Sequence, residues 1–143
     1  MFRWKRVKQQ KILQKNKNMI YGIGTDLVDL DRIKKMKSIS AFANKILGDL
    51  EHKEFIELAD NAKENYLGKQ FAGKEAYVKA LGTGFRNPIF PKDIQILRNA
   101  LGKPEIFLSG GVKSHAQDLG IIKSHVSLAD ESNHLIAFAV LET

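Results

Sequence analysis

A chain of 143 residues, 43% of them hydrophobic, fits one domain with its own core, and the lack of any cysteine excludes disulfides, thiolate metal sites, a thiol nucleophile and redox motifs. The formal net charge of +7 first suggests nucleic acid as a partner, yet residues 1–18 hold seven basic residues and no acid, so the body of the chain is neutral. The longest apolar run, residues 135–141, is far short of the ~20 residues of a membrane span, and the N-terminus lacks the apolar stretch of a signal peptide, so a cytoplasmic protein is expected.

Residues 1–18 read as a disordered basic extension and 19–143 as the folded domain, with Met19 an equally natural start. Residues 20–28 alternate strictly: Tyr21, Ile23, Thr25 and Leu27 face one side, while Gly22, Gly24 and Asp26 share the other. A strand face stripped to glycine lets something approach the backbone beside one carboxylate. Helices are expected at about 31–37, 40–47 and 50–59; the first carries Arg32, Lys34, Lys35 and Lys37 with Met36 among them. The longest helix is expected over about 63–81. After the turn residues Gly82, Gly84, Asn87, Pro88 and Pro91 come strands at 93–98 and 105–108, joined through Gly102, Lys103 and Pro104. Ser109, Gly110 and Gly111 lead into a short helix with Val112, Ala116 and Leu119 on one face. Residues 121–128 and 134–141 form a hairpin across a polar turn at 129–133. This order predicts an α+β domain, an antiparallel sheet packed on a long helix.

On that helix Leu67, Phe71, Val78 and Leu81 make one apolar arc, and Ala72, Ala76 and Ala80 a second, small one. Glu75 and Lys79 fall in the gap between them, four residues apart. As a plain ion pair they contribute only a few tenths of a kcal/mol. Taken with Asp26, Glu75 supplies a second carboxylate for a hard divalent cation such as Mg²⁺, which completes its shell with water and substrate phosphates. The Gly82, Thr83, Gly84 turn is either a helix C-cap or a small anion-binding concavity. It is neither a P-loop nor a dinucleotide fingerprint. Two carboxylates, a lysine and this turn suggest metal-assisted phosphate chemistry.

The run from Gly22 through Gly24, Thr25 and Asp26 to Arg32 and Ile33 resembles the first signature of the holo-[acyl-carrier-protein] synthases, within the 4'-phosphopantetheinyl transferase family. Phe71 to Ala80, with Lys74, Glu75, Ala76 and Lys79, resembles their second, which Gly82, Thr83 and Gly84 continue. Gly102, Lys103 and Pro104, then His125, Val126 and Ser127, match two weaker elements in the same order and register; the chain departs from the pattern at Ala129.

The resemblance implies transfer of the 4'-phosphopantetheine arm of coenzyme A to a serine of apo acyl carrier protein, leaving adenosine 3',5'-bisphosphate. It implies Mg²⁺ on Asp26 and Glu75, with Lys79 offsetting phosphate charge. Glu75, or a metal-bound water relaying to it, would be the general base. Lys79, Gly82, Thr83, Gly84, Gly102, Lys103, Pro104 and His125 would contact coenzyme A. It also implies a homotrimer with active sites between subunits, and an acidic carrier protein docking on Arg32 with Met36 as apolar anchor. The competing reading, a small nucleic-acid-binding protein using the basic arm, finds no reader motif or aromatic ladder in the neutral body.

Overall fold

The computed structural model describes residues 19–143; the basic segment 1–18 lies outside the described residues. In chain order the elements are β1 (Ile20–Asp29), α1 (Leu30–Lys34), α2 (Ile39–Ile46), α3 (Asp49–Glu57) and α4 (Asp60–Leu81). A 3₁₀ turn (Pro91–Asp93), β2 (Ile94–Arg98), β3 (Pro104–Leu108), α5 (Gly110–Asp118), β4 (Lys123–Glu131) and β5 (His134–Glu142) follow. Strands β1, β5 and β4 form one antiparallel sheet in that order, and β2 pairs with β3 in a separate hairpin. The expected α+β architecture is present, with α4 laid along one face of the larger sheet. No helix among the described residues is long and apolar enough to cross a membrane.

Two shaved surfaces bring α4 and β1 together. A Cβ on Gly24 would stand 1.9 Å from the Ala76 carbonyl oxygen, and one on Gly22 2.1 Å from that of Ala80. The visitor to the glycine face of β1 is therefore the alanine arc of the chain's own helix, not a ligand. That seam holds the core, with Leu67, Ala72, Ala76, Tyr77 and Val78 of α4 buried against Val28, Leu135, Ala137, Ala139 and Leu141. Gly73, which costs ~1 kcal/mol against Ala in a helix, has a packing reason: its Cβ would lie 2.3 Å from Ile96 Cδ1 of β2.

Three boundaries differ from expectation. Helix α1 stops at Lys34, three residues early, and Lys35 caps it by donating to the Asp31 and Ile33 carbonyls. Helix α4 begins at Asp60 rather than 63. Strand β4 runs on through Glu131, which pairs with His134, so the hairpin turn shrinks to Ser132 and Asn133 with Ser132 at φ 52°. Residues 129–131 are exposed because the end of the sheet is solvated, and the polar Asp130 and Glu131 read as turn from the sequence.

Candidate active site

Asp26 lies on the inner face of β1, on the same side as Gly24, where α4 crosses. Lys79 Nζ donates to Asp26 Oδ1 at 2.9 Å and to the Thr25 carbonyl at 3.0 Å. The ion pair thus joins helix to strand, and the i,i+4 pairing of Lys79 with Glu75 is not the contact formed. Glu75 sits one turn earlier on α4. Burial raises its carboxyl above the ordinary range, the Asp26 charge raises it further, and Lys79 opposes both. Two carboxylates on different elements therefore feel each other across the helix–strand seam.

Such a pair is stabilised by a cation that both can share. Among the described residues no group of three or more His, Cys, Asp or Glu side chains converges. Two hard oxygen donors, and no more, suit Mg²⁺, which keeps several sites for water and phosphate oxygens. The residues present fit that ion.

Glu75 also opens onto a cleft of ≈ 460 Å³ walled by Phe42, Phe71, Phe85 and Phe90, with Lys45 and Arg86 on its rim. Phe42 and Phe71 meet edge to face at 5.5 Å between centroids. A carboxylate, two cations and four aromatic rings suit a ligand with both a charged and an apolar part.

The other expected residues divide. At the end of α4, Gly82 takes φ 84° as the left-handed cap, and the amides of Gly82, Thr83 and Gly84 all point to the Val78 carbonyl at 2.9, 3.1 and 3.5 Å. Of the two readings open for this turn, the C-cap is the one present. Gly102, Lys103 and Pro104 close the β2–β3 hairpin, where the Asn99 side chain accepts the Lys103 amide at 3.0 Å. Their hydrogen bonds run to Arg98 and Asn99.

His125 is on the far face of the sheet. Its neighbours Val126 and Leu128 turn inward to the core, while His125 points out and pairs with Glu142. Within one chain it does not join Asp26 and Glu75. Arg32 is exposed on α1, whereas Met36, expected as an apolar anchor for a partner, is half-buried against the chain's own core.

Sequence reasoning missed a buried polar cluster behind Glu75. Lys74 and Glu51 are fully buried and paired at 2.7 Å, and Gln70 Nε2 donates to Glu51 Oε1 at 2.7 Å. Burial pushes the Lys74 ammonium down, with the Glu51 charge opposing. One local sign existed: Glu51 stands three residues after Gly48, whose amide donates to Glu51 Oε2 at 2.9 Å, a helix-start spacing.

The sequence profile described as "4'-phosphopantetheinyl transferase superfamily" matches residues 22–139. Over 126 residues the chain is 44% identical to a holo-[acyl-carrier-protein] synthase of Neisseria meningitidis serogroup A, spanning 87% of this chain and 99% of that one. The crystal structure of holo-[acyl-carrier-protein] synthase from Neisseria meningitidis superposes with a TM-score of 0.79 at 43% identity, covering 87% of this chain and all of the other. A Bacillus anthracis holo-(acyl-carrier-protein) synthase solved in complex with CoA (3',5'-ADP) gives 0.74 at 32% identity, covering 87% of this chain and 98% of that one. Matching the profile over most of its length, and its relatives over nearly all of theirs, the chain is an enzyme that belongs to the holo-[acyl-carrier-protein] synthases of the 4'-phosphopantetheinyl transferase superfamily.

Proposed function

We propose that residues 19–143 form a Mg²⁺-dependent transferase domain that moves 4'-phosphopantetheine from coenzyme A to a serine of apo acyl carrier protein, releasing adenosine 3',5'-bisphosphate. The observation that carries this reading is the pair Asp26 and Glu75, close enough for one charge to raise the other's carboxyl, set beside an aromatic cleft with a cationic rim. The Bacillus anthracis relative, holding CoA (3',5'-ADP), supports the donor and the product.

In this reading the serine Oγ attacks the β-phosphorus, and the bond from that phosphorus to the oxygen bridging it to the α-phosphorus breaks. Asp26 and Glu75 hold Mg²⁺, which when bound supplies Lewis acidity and offsets pyrophosphate charge. Lys79, half-exposed beside Asp26, turns its ammonium to the phosphates as a compact cation. Glu75, or a metal-bound water relaying to it, would take the serine proton. The Gly82, Thr83, Gly84 cap lies at the end of the same helix and would face the nucleotide. Gly102, Lys103, Pro104 and His125 would reach coenzyme A from a neighbouring subunit.

The assembly in this reading is a homotrimer, and the apolar outer face of the sheet supports self-association. Ile23 and Leu27 of β1 are 60% and 62% exposed, and Phe138 and Ile136 of β5 lie beside them at 45% and 47%. A contiguous apolar face of this kind calls for a cover. A copy seated there brings its own His125, which shares that face, towards another subunit's site.

The test is incubation with apo acyl carrier protein, coenzyme A and Mg²⁺, read by intact mass. A gain of one phosphopantetheine per carrier is expected; an unchanged mass defeats the reading. The carrier is expected to dock on Arg32, exposed at the end of the strand bearing Asp26 with Lys34, Lys35 and Lys37 nearby. Surface charge of this kind sets encounter rate and selectivity. Arg32→Glu should raise KM for the carrier by about tenfold, roughly 1.4 kcal/mol, with KM for coenzyme A nearly unchanged. Added salt should then weaken the native enzyme more than the variant. Equal losses for both substrates would put Arg32 in the coenzyme A pocket instead.

A further inference from the structure

Lys74 is left over once the reaction is described. It neighbours Glu75 in the chain, but the turn of α4 that aims Glu75 at the cleft aims Lys74 into the interior, where it is fully buried. Its ammonium has three donors and three acceptors: Glu51 Oε2 at 2.7 Å, the Pro91 carbonyl at 2.9 Å and the Ile94 carbonyl at 2.5 Å. Glu51 is held in turn by the amides of Gly48 and Ile96, both at 2.9 Å, and by Gln70. A buried pair satisfied this fully holds its geometry tightly.

The acceptor that matters is Pro91. Phe85, Arg86, Ile89, Phe90 and Pro91 line the Glu75 cleft. That wall leaves α4 at the Gly82 cap and comes back to α4 at the Lys74–Pro91 bond. Between its ends, Gly111 backs it so closely that a Cβ there would stand 2.4 Å from the Pro88 carbonyl oxygen. Phe90, next to Pro91, is half-exposed at the cleft mouth, while Ile89 before it is buried in the core. The only charged group gripping the wall, among its hydrogen bonds to the described side chains, is Lys74.

We propose that Lys74 is a positioning residue for the donor site: through the Pro91 carbonyl it sets the spacing between the Phe90 wall and Glu75, and so the fit of the donor in the cleft. The donor's identity rests on the function proposed above; the clamp itself does not. A binding cleft whose wall is loosened pays an ordering cost at each binding event, which appears in KM and not in the bond-breaking step.

Lys74→Ala alone is a poor probe, because it strands the buried Glu51 charge and threatens the fold. The double variant Lys74→Met/Glu51→Gln removes both charges together and keeps an acceptor for the Gly48 amide. It should fold, raise KM for coenzyme A about tenfold, leave kcat within about twofold and leave KM for the carrier protein unchanged. Hydrogen–deuterium exchange read by mass spectrometry should quicken across residues 85–94 while the middle of α4 stays protected. This second measurement needs no substrate, so it tests the clamp even if the donor is not coenzyme A. A folded double variant with native exchange over 85–94 overturns the proposal, as does faster exchange there with native KM for coenzyme A in an active enzyme. Should the double variant not fold, Gln70→Leu alone, which leaves the Lys74–Glu51 pair and the Lys74 bond to Pro91 in place, separates the cases: native exchange over 85–94 supports the clamp, and quickened exchange sinks it.

Discussion

Asp26→Ala and Glu75→Ala are each expected to lower kcat by about 10³-fold, the scale on which loss of a group that stabilises transition-state charge is felt. Neither change should unfold the protein. Among the described residues Asp26 pairs with Lys79 alone, half of whose side chain is exposed, so the freed ammonium turns to water at little cost. Removing Glu75 takes away a carboxyl that burial and Asp26 both disfavour as an anion. The double variant should fall no more than about tenfold below the worse single, because two ligands of one ion act as a unit. Losses that multiply fully would mean two independent roles. Full turnover in EDTA would remove the metal from the mechanism while leaving the carboxylates to be explained otherwise.

Much of this site is legible in the sequence for a simple reason: parity along a strand and winding along a helix are local. Asp26 is on the inner face because Gly24 and Val28 are, and alternation alone says so. Glu75 and Lys79 fall between two arcs that are found as expected, since Ala72, Ala76 and Ala80 do form the close-packing stripe. What local pattern cannot give is the identity of the object across the seam. The glycines of β1 announced a close approach, and only the fold shows that the alanine stripe makes it. Lys74 illustrates the same gap. In the sequence it is one more lysine in a motif; its partners Glu51 and Pro91 are 23 and 17 residues away, and no periodicity links them. His125 is the inverse case. The resemblance groups it with Asp26 and Glu75, yet alternation puts it on the outer face with Ser127, away from Asp26. A motif can unite residues that one chain never brings together.

That separation makes the largest prediction about assembly. If each site takes Asp26 and Glu75 from one subunit and His125 from the next, two inactive variants should rescue each other. Asp26→Ala has intact His125, and His125→Ala has intact Asp26; neither alone builds one complete site. After reassembly of an equal mixture into trimers, about a quarter of the sites pair a native Asp26 with a neighbour's native His125, given one site per interface in a closed ring. Activity should therefore rise from near zero to about a quarter of the native value. Adding Phe138→Asp to both variants should abolish the rescue. Phe138 is exposed on the outer face, so the charge leaves the core of each subunit intact and meets only the apolar surface of the incoming copy. Light scattering should find that variant monomeric at concentrations where the native chain is trimeric. An active native monomer would refute the shared site outright. A stable trimer in which the two variants fail to rescue each other, with His125→Ala itself inactive, would return His125 to its own chain's chemistry.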